Sequence, residues 1–273
     1  MPQNSVNTNV SSMVALQTLN TINSRLDTVQ NRVSTGLKVN NAVDDASSFS
    51  IAQGIRSGLK AFEAVSQGLA NGRGIATVAL AGATSISDLL GDIRKKITEG
   101  QNPGNTTEQQ SILQGDFANL VAQINTFISN ASYNGRNLLS AASTSLNVIS
   151  NIDGSTLTVR SNSAFAATSV NLGAQALTTT VTATKAMSAL FLAQASINTV
   201  LGNIGADTRT LNNQDEFVGK LVDAVTEGLG AIVDADMAKE SAKLQALQVQ
   251  QQLSVQTLGI ANQRPQTLLG LFQ

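Results

Sequence analysis

Aliphatic residues recur along this chain at the three-to-four-residue spacing of an α-helix, and at both ends they stand among Asn, Gln, Ser and Thr rather than Lys and Glu. At the N-terminal end the seam reads Met13, Leu16, Leu19, Ile22, Leu26, Val29 and Val33. At the C-terminal end it reads Leu244, Leu247, Val249, Leu253, Leu258 and Ile260. No Asp, Glu, Lys or Arg occurs in residues 1–24, and from Leu244 to Gln273 the only charge is Arg264. A surface helix ordinarily draws solubility and i,i+4 pairs from charge. Two uncharged amphipathic helices therefore predict burial against protein on most sides, including other chains, and pairing of one end with the other.

Between them the pattern predicts more helix. Ser34-Thr35-Gly36 breaks the first seam, and Asp44 and Asp45 stand where the N-cap and first turn of the next helix fall. That helix carries Ile51, Ile55, Leu59, Phe62, Val65, Leu69, Val78, Ile86, Leu90, Ile93 and Ile97, and stops around Gly100 to Gly104. Its interior glycines, at 54, 58, 68, 72, 74, 82 and 91, each cost about 0.5–1 kcal/mol relative to Ala, so it needs close neighbours. Thr107 with Gln110 reads as a capping box opening a helix with seam Leu113, Phe117, Leu120, Ile124 and Phe127, ending near Asn134-Gly135. Residues 141–184 change character: Ser and Thr fill 16 of 44 positions, and the alternations Leu146-Val148 and Leu157-Val159 around Asp153-Gly154 predict a β-hairpin. From about Lys185 a seam of Leu190, Ile197, Leu201, Ile204, Leu211, Val218, Val222, Val225, Leu229 and Ile232 keeps one 3,4 spacing, the period of a coiled coil. The fold class expected is mainly α: a long coiled-coil-like helical bundle with paired N- and C-terminal helices and a small β-hairpin insert.

Composition narrows the function. A net charge of −1 over 273 residues offers no basic field to nucleic acid or an anionic membrane surface. The absence of both Cys and His removes thiolate and imidazole metal sites, cysteine nucleophiles and Ser-His-Asp triads. No run reaches the roughly 18 apolar residues of a membrane span, and the N-terminus lacks the basic and apolar regions of a cleavable signal. Asp44-Asp45 and Asp234/Asp236 are the carboxylate clusters that invite a catalytic or metal reading; with no other ligand types beside them they are read as caps and inter-domain junction residues. Arg94-Lys95-Lys96 is read as a solvated turn near a helix C-terminus. No catalytic, cofactor-binding or metal residue is expected.

Four segments carry a family resemblance. Gln30 to Arg56, QNRVSTGLKVNNAVDDASSFSIAQGIR, resembles the N-terminal signature of bacterial flagellins, and Asp234-Ala-Asp-Met-Ala-Lys-Glu240 with the tail IANQRPQTLLGLFQ resembles their C-terminal signature. Ser132-Tyr-Asn-Gly-Arg-Asn-Leu-Leu139 is similar to the segment before the family's hairpin, and Ile204-Gly-Ala-Asp-Thr-Arg-Thr-Leu211 to its "LGA..nrL" stretch. The resemblance implies a subunit of the flagellar filament, with residues 1–40 and 236–273 as the two halves of an inner helical domain. Residues 41–140 and 185–235 would then form a helical rod domain, and 141–184 an insert too short for a large outer domain, as in short-form alphaproteobacterial flagellins. Implied partners are further copies in a homopolymer, the flagellar export apparatus with a flagellin chaperone, and hook-associated and cap proteins, at an extracellular location. A hook-filament junction protein is the alternative within this resemblance. An enzyme on a flagellin frame would need a zinc site that a chain without His cannot build, and a secreted adhesin would not polymerise. Val43 and Ala231 replace basic residues common in the family, and Gly91-Asp92-Ile93-Arg94-Lys95-Lys96 departs from the basic, apolar, basic, acidic stretch that the innate flagellin receptor reads.

Overall fold

The computed structural model describes residues 9–269, with side chains for 9–263; the last four residues of the tail signature, 270–273, lie outside the described residues. The elements in order are α1 (Val10–Thr35), α2 (Ala46–Gly100), α3 (Thr107–Asn130), β1 (Ser132–Tyr133), β2 (Arg136–Asn137), β3 (Leu146–Ile149), β4 (Thr156–Val159), α4 (Ser163–Gly173), α5 (Thr180–Val233) and α6 (Met237–Leu269). The expected mainly α class is observed. The chain divides into two compact units, one of residues Gly58–Asp223 and one of the segments on either side.

The larger unit is built on aliphatic seams. Leu69, Ile86, Leu90, Ile93 and Ile97 of α2, Phe117 and Ile124 of α3, and Leu190, Ile197, Ile204, Leu211 and Val218 of α5 are buried in one cluster. The five α5 residues recur every seven positions, so the 3.5-residue period read from the sequence is the period of burial. Val148 and Val159 bring the β3–β4 hairpin onto this cluster. Its antiparallel register pairs Leu146 with Val159 and Val148 with Leu157, as the alternation predicts. The hairpin and the α3 end sit close because α2 has no side chain there: a Cβ on Gly72 would lie 2.6 Å from Val148 Cγ2, and one on Gly82 2.8 Å from Ala131 Cβ.

Four expectations are corrected. The α3 capping box is Thr106 with Gln109, one residue before the pair read from the sequence; the two triplets match the same pattern, and the backbone turn selects the first. The helix ends at Asn130, because Asn134 and Gly135, with φ of 50° and 72°, form the tight turn of β1–β2. Within the Ser/Thr-rich insert, Ser163–Gly173 is a helix whose Phe165, Ala166, Ser169 and Leu172 are buried. Those four keep helical spacing, so polar composition concealed an apolar stripe. Finally, α5 starts at Thr180, where the Thr179 hydroxyl accepts from the Thr182 amide at 3.2 Å. No uninterrupted apolar run is long enough to span a bilayer, yet α2 and α5 are long and apolar enough by mean hydropathy to cross one; their apolar faces make the core just described.

The smaller unit holds α1 against α6. Their partners run in opposite order, Asn9 with Ala261, Asn23 with Gln251 and Arg32 with Glu240, so the pair is antiparallel. Gly36, at φ 73°, ends α1 in the left-handed conformation that favours glycine, and its carbonyl accepts from the Ala235 amide at 2.9 Å. The Lys38 amide donates to the Val233 carbonyl at 2.7 Å, Leu37 bridges Asp234, and Val39, Ala52 and Val233 pack beside them.

Candidate assembly surface

The seams at the two chain ends fall on two faces of the α1–α6 pair. Leu19, Ile22, Leu26, Val29 and Val33 of α1, spaced by three or four, are buried or half-buried, as are Leu244, Leu247, Leu258 and Ala261 of α6. Gln251 and Ser254 fill the intervening steps of the α6 row. These positions form the seam of a two-helix coiled coil. The remaining residues of the predicted interface face outward: Met13 is 63 % exposed, Leu16 48 %, Val249 and Leu253 55 % each, and Ile260 66 %. Val10, Val14 and Val255 join them.

Neutral hydrogen bonds set the register of the pair. Asn9 Nδ2 donates to the Ala261 carbonyl at 2.7 Å, Ser12 Oγ to Asn262 Oδ1 at 2.6 Å, and Gln251 Nε2 to Asn23 Oδ1 at 2.8 Å. At the far end a buried carboxylate replaces them. Glu240 is 6 % exposed, accepts from Lys243 Nζ at 2.6 Å and lies 3.9 Å from Arg32 Nη1; its Oε2 and the Arg32 Nε lack a hydrogen-bond partner. Sequence reasoning passed over this cluster, although both residues lie inside the two signature segments. Glu240 stands in the charged first turns of α6 beside Lys239 and Lys243, and its place on the α1-facing row becomes apparent only once α1 is in position.

Of the four aspartates singled out from the sequence, Asp44, Asp45 and Asp236 hold backbone amides with their carboxylates. Asp45 caps α2: its side chain accepts from the amides of Ser47 and Ser48 at 3.0 and 3.2 Å and from Ser48 Oγ at 2.7 Å. The Ser48 hydroxyl and amide hold the Asp45 carboxyl below its ordinary value. Asp44 accepts from the amides of Asn40 and Asn41, and Asp236 from that of Lys239 at the start of α6. Asp234 takes part through its backbone, donating to the Gly230 carbonyl at 2.8 Å. Among the described residues no three acidic side chains are grouped to hold a metal ion.

In the larger unit Asp207, 8 % exposed, accepts from the Arg160 amide and from Arg160 Nη2, each at 2.8 Å, and so fastens the end of β4 to α5. Its position in the Ile204 to Leu211 motif is thereby accounted for. Lys96 bridges Asp116 and Glu99 at 3.1 and 3.3 Å, and these two carboxylates, Asp116 foremost, raise the Lys96 pKa and make this residue of the basic run an anchor rather than a solvated charge.

Two connected grooves, of about 460 and 480 Å³, run along one flank of the α1–α6 pair and share Arg25 and Gln250. They and the exposed aliphatic rows are surfaces on which another helix can lie.

Comparison with known proteins bears on that surface. The profile of the bacterial flagellin N-terminal helical region matches residues 6–144, and that of the C-terminal helical region matches residues 187–272. This chain belongs to the bacterial flagellin family. Flagellins are structural subunits of the flagellar filament. Flagellin FljK of Caulobacter vibrioides is 38 % identical, over all of this chain and all of that one. A flagellin of Brucella melitensis is 38 % identical over 98 % of this chain and 99 % of its own length. Both sources agree with the short alphaproteobacterial form expected from the insert.

Proposed function

We propose that this flagellin polymerises through the two outward faces of its end helices, burying Met13, Leu16, Val249, Leu253 and Ile260 against neighbouring copies while Leu19, Ile22, Leu26, Val29, Val33, Leu244, Leu247 and Leu258 hold α1 to α6. The observation that carries the reading is the exposure of large aliphatic residues on helices that have almost no charge to keep them in water. Burial contributes about 25 cal/mol per Å² of apolar surface, and it offsets ordering the chain ends only where many copies supply that surface. Asp44, Asp45, Asp234 and Asp236 serve at the junction where the inner helical segments, 1–40 and 236–273, give way to the rod segments, 41–140 and 185–235. The 141–184 segment is the outward insert.

The activity is assembly without covalent catalysis. Family membership supports the remaining context: delivery by the flagellar export apparatus with a flagellin chaperone, addition beneath a cap protein, joining to hook-associated proteins, and an extracellular filament used for swimming. No observation favours a hook-filament junction role over the filament itself. Electron microscopy of the purified chain under polymerising conditions tests the reading. Long helical filaments are expected; a chain that stays monomeric at all concentrations and salts would refute it.

A further inference from the structure

Two charges on α1 are isolated in an uncharged surround. Between Val10 and Asn31 the only charged residues are Arg25 and Asp27, and from Leu244 to Gln263 on α6 there is none. Both side chains are exposed, and among the described residues neither makes an ion pair or hydrogen bond. They cannot satisfy each other within one helix, since residues two apart point about 200° from one another. Leu26, between them, faces the α1–α6 seam, so Arg25 and Asp27 project from opposite flanks of the pair.

The flanks differ in kind. Arg25 lines both grooves, with Thr28, Arg32, Lys243 and Gln250 around one and Thr21, Leu253 and Ser254 around the other. Arg32 and Lys243 are engaged by Glu240, which leaves Arg25 as the free cation of the described groove lining. Asp27 lines neither groove.

We propose that the groove at Arg25 receives the Asp27 flank of a second copy, so that one carboxylate and one guanidinium pair across each contact between end helices. The proposal rests on the assembly reading above and deepens it by naming the contact. If the end helices are enclosed by other copies, an Arg and an Asp without partners would both be buried, which is strongly disfavoured. Pairing across copies relieves both at once. Because the two groups lie on opposite flanks, each copy offers one donor and one acceptor. The contact is therefore heterologous and propagates in one direction instead of closing into a dimer. The opposed charges also fix orientation, since a reversed neighbour would bring like charges together.

The test uses charge reversal in the full-length chain, with the critical concentration for polymerisation read by sedimentation. Arg25→Asp and Asp27→Arg are each expected to raise it at least about tenfold, while the monomer keeps its circular dichroism because both positions are exposed. The double variant R25D/D27R restores the pair in reverse and is expected to polymerise within about twofold of the parent. An equimolar mixture of the two single variants is expected to form copolymers containing both, since each supplies what the other lacks. Single variants that polymerise like the parent would overturn the pairing and leave assembly through the end helices intact. Single variants that fail and are rescued by neither the double change nor mixing would overturn it as well. A parent chain that forms no filaments would remove the assembly reading and this proposal together.

Discussion

At the residue scale the glycines of α2 separate into two kinds that the sequence does not distinguish. Gly82 lies against Ala131 and Leu139, whereas nothing stands within 4 Å of the Cβ position at Gly68. Helix propensity alone favours Ala at both by about 1 kcal/mol. Gly68→Ala is expected to raise the stability of the monomer by about 0.5–1 kcal/mol. Gly82→Ala is expected to lower it by about 1–3 kcal/mol, because Ala131 Cβ is fixed to backbone and cannot turn aside. Denaturant unfolding of the two variants reads opposite signs. Asp45 makes the second residue-scale prediction. Its carboxyl is held below the ordinary value of 3.8, so its contribution is complete above that value and disappears as pH falls through the lower folded value. Amide exchange at Ser47 and Ser48 should accelerate on acidification, relative to residues deep in α2. In Asp45→Asn, which caps without titrating, the acceleration should be absent.

At the element scale, the existence and type of most elements were legible because they depend on local chemistry. The seams marking α1, α2, α3 and α5, the alternation of β3 and β4, and the caps at Asp45 and Asp236 are written in neighbouring residues. What escaped depends on distant ones. The stripe of α4 is short and half made of Ala and Ser, so it reads as helix only once Phe165 and Leu172 have a core to enter. The split of the α6 aliphatics into inward Leu244, Leu247 and Leu258 and outward Val249, Leu253 and Ile260 requires knowing where α1 lies. Glu240 and Asp207 were overlooked because a single carboxylate in a helix gives no local sign of burial. Asp207 has a measurable consequence. Removing it leaves the Arg160 amide and guanidinium without their acceptor, a loss of about 1.5–3 kcal/mol for a charged hydrogen bond. Asp207→Ala is therefore expected to lower the unfolding midpoint and to free the β3–β4 hairpin, seen as faster amide exchange at Val148 and Val159 than in the parent.

At the scale of the whole molecule, the chain carries two kinds of apolar surface. The larger unit closes a core of its own, in which Ile86, Leu90, Ile93, Ile97, Ile197 and Ile204 are wholly enclosed, while Ile112, Val170, Val181, Phe191, Leu192 and Phe217 stay exposed on its surface. The α1–α6 pair keeps Ile22, Val29 and Ala261 inside and leaves a comparable set of aliphatics in water. The proposed assembly surface therefore lies on the α1–α6 pair, which has little core of its own, and the main core of the chain lies in the larger unit. One substitution separates the two. Leu253→Asp places a carboxylate on an exposed site of the monomer, where the effect on stability is within about 0.5 kcal/mol. In a filament that encloses this face, the same carboxylate shares a groove with Arg25 and competes for it with the Asp27 of a neighbouring copy, so one buried carboxylate is left without a partner, a loss of several kcal/mol. Ile149→Asp on the exposed side of β3 is the matched control. Sedimentation and electron microscopy of the two variants beside the parent make the most direct measurement of the central claim. The account predicts that Leu253→Asp stays soluble and folded without filaments while Ile149→Asp polymerises like the parent; filaments from Leu253→Asp at the parental critical concentration would contradict it.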